Sequence, residues 1–159
     1  MSLFDNTNET NLRACAQMVE DVLSKRGEDG AAARLESDRG PAWRFRQGSA
    51  EVLVFLTARA ADGKSASNMI QVMAPVMRAT ADALASTKLY RRLLDLNASG
   101  LTQAAFGLRG DDVILTTDRS TAGLDPVEVE EMLHRIAGYA DHYDDVLVAE
   151  FGGSRHSDL

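Results

Sequence analysis

Side chains able to do chemistry are few in this 159-residue chain, which holds three histidines and one cysteine. His134, Asp141 and His142, with Asp145 one turn further on, fall in one stretch of helical spacing and could approach a divalent cation from one side of that helix. His134 and His142 are about two turns apart, which is also the spacing of an ordinary solvated helix face. His156 lies in a small, polar C-terminal stretch.

Nucleophilic and phosphate chemistry leave no trace. There is no His-Glu-x-x-His, no Gly-x-Ser-x-Gly, no glycine-rich phosphate loop, and no histidine close in sequence to Cys15. Cys15 stands beside Ala16 and Val19 on an apolar stripe, so its expected role is packing. A single cysteine also excludes an intrachain disulfide. The carboxylate pairs Asp111-Asp112 and Asp144-Asp145 fall in a turn and on a charged helix, where solvation accounts for them.

Two patterns suit binding better than catalysis. Arg44 and Arg46 alternate with Trp43 and Phe45, and Arg34 and Arg39 add to a basic patch on the Arg34–Arg46 hairpin. Single-stranded nucleic acid needs rings and cations on one surface, whereas a period of two puts them on opposite faces. Met69, Met73 and Met77 share one parity with Gln71 and Pro75, and flexible thioethers on an exposed sheet face suit varied apolar partners. Core filling is the competing reading. Trp43, Phe45, Met69, Met73 and Met77 are the candidate partner-binding residues.

The elements that must position them follow from periodicity. Leu12, Cys15, Ala16, Val19, Val22 and Leu23 predict a first helix from about Thr10 to Arg26, stopped by Gly27. Residues 1–9 and 152–159 are expected as flexible tails around a single domain over 10–151. Strands are expected at Trp43–Arg46, at Glu51–Arg59 as the central one, and at Asn68–Arg78 after a turn at Asp62-Gly63-Lys64-Ser65. A helix through Met69, Met73 and Met77 is the rival, but Pro75 in its interior would cost it about 3 kcal/mol. A second helix runs from about Asp82 and stops at Asn97 and Gly100. A hairpin turns at Arg109-Gly110-Asp111-Asp112, and a last helix starts at Asp125-Pro126.

The order is α-β-β-β-α-β-β-α: an α+β fold of three helices and an antiparallel five-stranded sheet. With 45% hydrophobic and 26% charged residues the composition is that of a globular domain. The net charge is −7, with ten residues of each sign in 1–79 and seven basic against 14 acidic in 80–159. That balance repels phosphate backbones at long range. The longest apolar run, Val52–Leu56, is far below the ~20 residues of a membrane helix, and Asn6, Glu9 and Asn11 argue against a secretory leader. A cytoplasmic protein is expected.

The C-terminal half resembles the YbjN family of bacterial proteins, which has the fold of class I type III secretion chaperones. The carrying residues are Leu93-Leu94-Asp95-Leu96-Asn97, Ala105-Phe106-Gly107-Leu108, Gly110-Asp111-Asp112, Val113-Ile114-Leu115-Thr116, Gly123-Leu124-Asp125-Pro126, Glu128, Glu131, Tyr139, Asp141 and Tyr143. The family's usual order of glycine before phenylalanine is inverted at Phe106-Gly107. The resemblance implies a homodimer through Leu89, Tyr90, Leu93 and Phe106, with a client along the first helix and first three strands. It also implies a link to stress response or regulation.

The expected function is a non-enzymatic, chaperone-like module that binds a partner protein or extended segment, without cofactor, metal or membrane. The alternatives are an accessory protein associated with single-stranded nucleic acid through the Arg34–Arg46 hairpin, and a small metal-binding protein using the C-terminal helix.

Overall fold

The computed structural model describes residues 3–61 and 64–159, with side chains described for residue 7 and for 9–57 and 68–159. The first helix, α1, spans Leu3–Lys25, beginning ahead of the Thr10–Asn11 pair because no glycine or proline interrupts the stretch. Cys15, Ala16, Val19, Val22 and Leu23 form its buried stripe, as the spacing predicts, and Gly27 ends it in the left-handed region at φ 85°. The side chains of Leu3 and Phe4 lie outside the described residues.

Strands β1 (Arg34–Leu35), β2 (Ala42–Gln47), β3 (Ala50–Ala61) and β4 (Lys64–Arg78) follow. Asp62 and Gly63 of the expected turn lie outside the described residues. After α2 (Ala83–Ser99) come β5 (Ala105–Arg109), β6 (Asp112–Ser120), α3 (Pro126–Phe151) and β7 (Ser154–Arg155), and a 3-10 turn covers His156–Asp158. The strand order is β1-β2-β3-β4-β6-β5, with β7 on β4.

The sheet therefore has seven strands, not five. Both additions, β1 and β7, are two residues long, too short to carry an alternating pattern in sequence. β7 and the 3-10 turn occupy the stretch read as a C-terminal tail. β3 is interior to the order, as its apolar run predicts. β4 is a strand rather than a helix and runs through Pro75, whose missing N–H removes one donor from the ladder.

Local signals set the helix ends. The Asp82 side chain accepts from Ala85 N at 2.7 Å and caps α2. Asp125 accepts from Glu128 N at 2.9 Å, while Glu128 accepts from Asp125 N at 3.1 Å, a reciprocal cap for α3 ahead of Pro126.

Two compact units are woven from alternating stretches. One comprises the described residues up to Phe45 with Leu53–Val72 and Asp118–Leu133. Its core includes Val19, Leu23, Trp43, Leu56, Ile70 and Leu133, all at most 0% exposed. A buried polar clasp stands beside it: Asn11 Oδ1 accepts from Asn68 Nδ2 at 3.1 Å and from the Thr121 hydroxyl at 2.7 Å. The clasp ties α1 to β4 and to the end of β6. The other unit comprises Arg46–Val52, Met73–Thr117 and His134–Leu159. Its buried residues include Met73, Met77, Leu89, Leu115, Ile136 and Leu147.

Candidate functional site

Alternation on β2 sends Trp43 and Phe45 inward and Arg44 and Arg46 out to solvent. Trp43 is fully buried and Phe45 nearly so. The Trp43 ring is roofed by Arg34, its cross-strand partner on β1, and the Phe45 ring by Arg26, from the turn after α1. The Arg34 guanidinium lies 5.8 Å from the Trp43 ring centroid and pairs with Glu20 of α1 at 3.1 Å. Glu20 also accepts from Trp43 Nε1 at 3.3 Å. The Arg26 guanidinium lies 5.6 Å from the Phe45 centroid and pairs with Glu130 of α3 at 2.6 Å.

A shallow groove opens along each roof. The first, about 270 Å³, is lined by Leu12, Arg13, Ala16, Gln17, Glu20 and Arg34, with Glu9 and Pro41 at its rim. It runs beside β1, the first strand of the order. The second, about 400 Å³, is lined by Val22, Lys25, Arg26, Pro126, Val127, Glu130 and Glu131, and its lining is mostly apolar. Both bring apolar side chains and paired charges to one surface, which can bury apolar groups and orient a ligand by charge. No pair of side chains in either groove forms a nucleophile and base.

Alternation foresaw the inward rings. The Arg26–Glu130 roof, which joins residues 104 apart, has no local signal, and the place of Arg34 opposite Trp43 depends on β1, a strand too short to show a period. With both rings sealed, the hairpin presents its arginines without the stacking platform that single-stranded nucleic acid uses. Met73 and Met77 are also buried and Met69 is half-buried, so the methionines of β4 supply interior surface rather than an open thioether face.

On the second unit, α2 and β5 pack together. Leu89, Leu93 and Phe106 are buried in this packing and Tyr90 is half-buried. The exposed apolar side chains are instead Leu84 and Leu94 on α2 and Leu108 on β5. Asn97 does not stop α2, which ends at Ser99 before Gly100. Its side chain accepts from Phe106 N at 2.7 Å and donates to Phe106 O at 3.1 Å, pairing with β5 as a neighbouring strand would.

The C-terminal histidine and aspartate residues do not converge. His134, Asp141, His142 and Asp145 are all exposed on α3, and among the described residues no group of three or more His, Cys, Asp or Glu is placed to hold a metal ion. Asp141 instead clasps the turn between β2 and β3, accepting from Ser49 N at 3.0 Å and from the Ser49 hydroxyl at 2.8 Å. The Ser49 backbone N–H, and then its hydroxyl, hold the Asp141 carboxyl below the ordinary carboxylate range. Asp145 pairs with Arg155 at 2.8 Å. Burial pushes the Cys15 thiol up, against a smaller opposing effect of its hydrogen bond to Thr121, which suits packing rather than reactivity. No helix among the described residues is long and apolar enough to cross a membrane.

A family model described as TY-Chap1, T3SS (YopN, CesT) and YbjN peptide-binding chaperone 1, matches residues 13–159. No curated protein matches the chain in sequence. Among solved structures, a chain of the ExsC–ExsE complex superposes with a TM-score of 0.58 at 16% identity, covering 92% of this chain and 97% of that one. A chain of the HopA1–SchA chaperone–effector complex gives 0.56 at 8% identity, covering 87% of this chain and 98% of that one. At such identities the likeness is one of fold.

Proposed function

The chain belongs to the TY-Chap1 family of type III secretion and YbjN peptide-binding chaperones, and from that membership we propose that it is a non-enzymatic chaperone that holds an extended segment of a partner protein along α1 and β1. The family match over residues 13–159 carries this reading. The groove beside β1 supports it, bringing Leu12 and Ala16 together with the Arg34–Glu20 pair. Apolar surface removed from water contributes about 25 cal/mol per Å², and the rim charges govern orientation and rate. Arg34 and Glu20 are partly solvent-exposed, so a partner can exchange their pairing at small cost.

Self-association is assigned to α2 and β5. Leu89, Leu93 and Phe106 are spent within the chain, so the contact falls to Leu84, Leu94 and Leu108, with Tyr90 beside them. A Leu94→Asp chain should have the wild-type circular dichroism but a monomer's mass by light scattering. A wild-type chain that is itself monomeric at high concentration removes the assignment.

The client-binding reading is tested on an immobilised array of overlapping peptides probed with the purified chain. Wild type should bind a reproducible subset, and an Ala16→Arg chain of unchanged circular dichroism should lose it. Equal patterns for the two chains, or no bound peptide at all, would exclude the groove.

A further inference from the structure

The C-terminal residues pair with one end of β4, a strand that elsewhere lies between β3 and β6. After α3 the chain turns at Gly152 and Gly153, at φ 72° and 94°, and lays β7 antiparallel on β4, with Met77 opposite Arg155 and Arg78 opposite Ser154. Glycine at 153 is enforced twice, by its φ and by space. A Cβ there would lie 2.3 Å from Arg78 O and 3.0 Å from Met77 Cε. The segment therefore lies directly against Met77, a side chain that is fully buried with it in place.

What holds the segment is light. The ladder is two residues long. Arg155 pairs with Asp145 at 2.8 Å and Asp158 at 2.9 Å, but these side chains are 39%, 70% and 51% exposed, the class of ion pair that adds little stability. His156 Nδ1 is buried with no hydrogen-bond partner among the described residues, a cost of docking with no return. A short ladder, solvated ion pairs and an orphaned nitrogen describe an element of low local stability.

We propose that residues 152–159 are a displaceable strap, an intramolecular stand-in for an extended peptide that adds to β4 at Met77–Arg78. The strap's own chemistry defines the occupant. It is an extended segment with glycine at the place of Gly153, where no side chain fits, and arginine at the place of Arg155, where Asp145 receives a guanidinium. Release of the strap bares Met77, so the thioether becomes contact surface only in the open form. The site is separate from the groove of α1 and β1 and stands or falls independently of it.

The probe is a fluorescein-labelled synthetic peptide with the sequence of residues 152–159, titrated by fluorescence anisotropy into the full chain. Tethering gives the strap a high effective concentration, so wild type should bind the probe roughly tenfold or more weakly than a strap-released chain. Gly153→Val releases it by steric conflict, and Arg155→Glu does so by charge on the strap itself, leaving Asp145 in place to receive the probe's arginine. Both variants should bind the probe, show faster amide exchange at Met77 and Arg78, and recover slow exchange on saturation with it. A probe carrying the equivalent of Arg155→Glu should bind neither variant, and Glu20→Arg in the α1 groove should change nothing. Absence of probe binding in both variants overturns the proposal. Equal binding by wild type and variants overturns it as well, because the edge is then not gated.

Discussion

The strand order ends at β1 on one side and β5 on the other, and the two ends are finished by different means. β1 has two residues and lies beside a groove of mixed polar and apolar lining that includes the partly solvent-exposed Arg34–Glu20 pair. β5 has five residues, and the Asn97 side chain takes both hydrogen-bonding groups of Phe106. A long bare edge invites unwanted pairing, and Asn97 occupies the backbone of one residue of β5, as a neighbouring strand would. On the reading proposed above, the β5 end would meet a second apolar surface through Leu108, and the β1 end an extended chain.

The comparison can be broken or sharpened by substitution. Trp43→Ala should have the largest effect, a loss of about 3–5 kcal/mol by urea denaturation, since it empties a fully buried indole site. A small loss there would mean that the roof of Arg34 and Glu20 collapses freely and that the β1 end is soft. Asn97→Ala should cost about 1–3 kcal/mol by orphaning Phe106 N and O, and should promote association through β5. If stability and mass by light scattering are both unchanged, Asn97 is no edge guard.

Asp141 sharpens the picture with pH. Its carboxyl titrates below the ordinary range, so the stabilisation it gives the β2–β3 turn is complete above about pH 4 and drains away as pH falls through its lower folded-state value. Asp141→Asn should flatten that part of the acid dependence of the urea midpoint, and an unaltered slope would contradict the clasp. The smallest effect belongs to Arg34→Ala, about 0.2–1 kcal/mol in stability for a half-exposed pair, with a weakening of peptide binding on the array that exceeds any change in fold. A binding pattern untouched by Arg34→Ala would leave the rim without a role.

Much of the framework was readable in advance. Repeats of three and four marked the stripe of α1, Asp82 and Asp125-Pro126 marked the starts of α2 and α3, and alternation placed Trp43 and Phe45 opposite Arg44 and Arg46. Each is a short-range signal written within a few residues. The strands β1 and β7 were not readable, since two residues have no period. Met73 and Met77 read as an exposed face because parity reports which residues share a side and not what covers that side.

The sequence by itself determined which residues share a helix stripe or a strand face, because those periods come from backbone geometry alone. It also determined that the chain lacks the common sequence motifs of nucleophilic and metal chemistry. Only the tertiary structure decided that Arg26 and Arg34 roof the β2 rings, that Asn97 closes β5, and that the last residues lie against Met77. Those contacts rest on strand pairing and packing that no local period encodes, and their energies exist only once folding has brought the partners within a few ångströms.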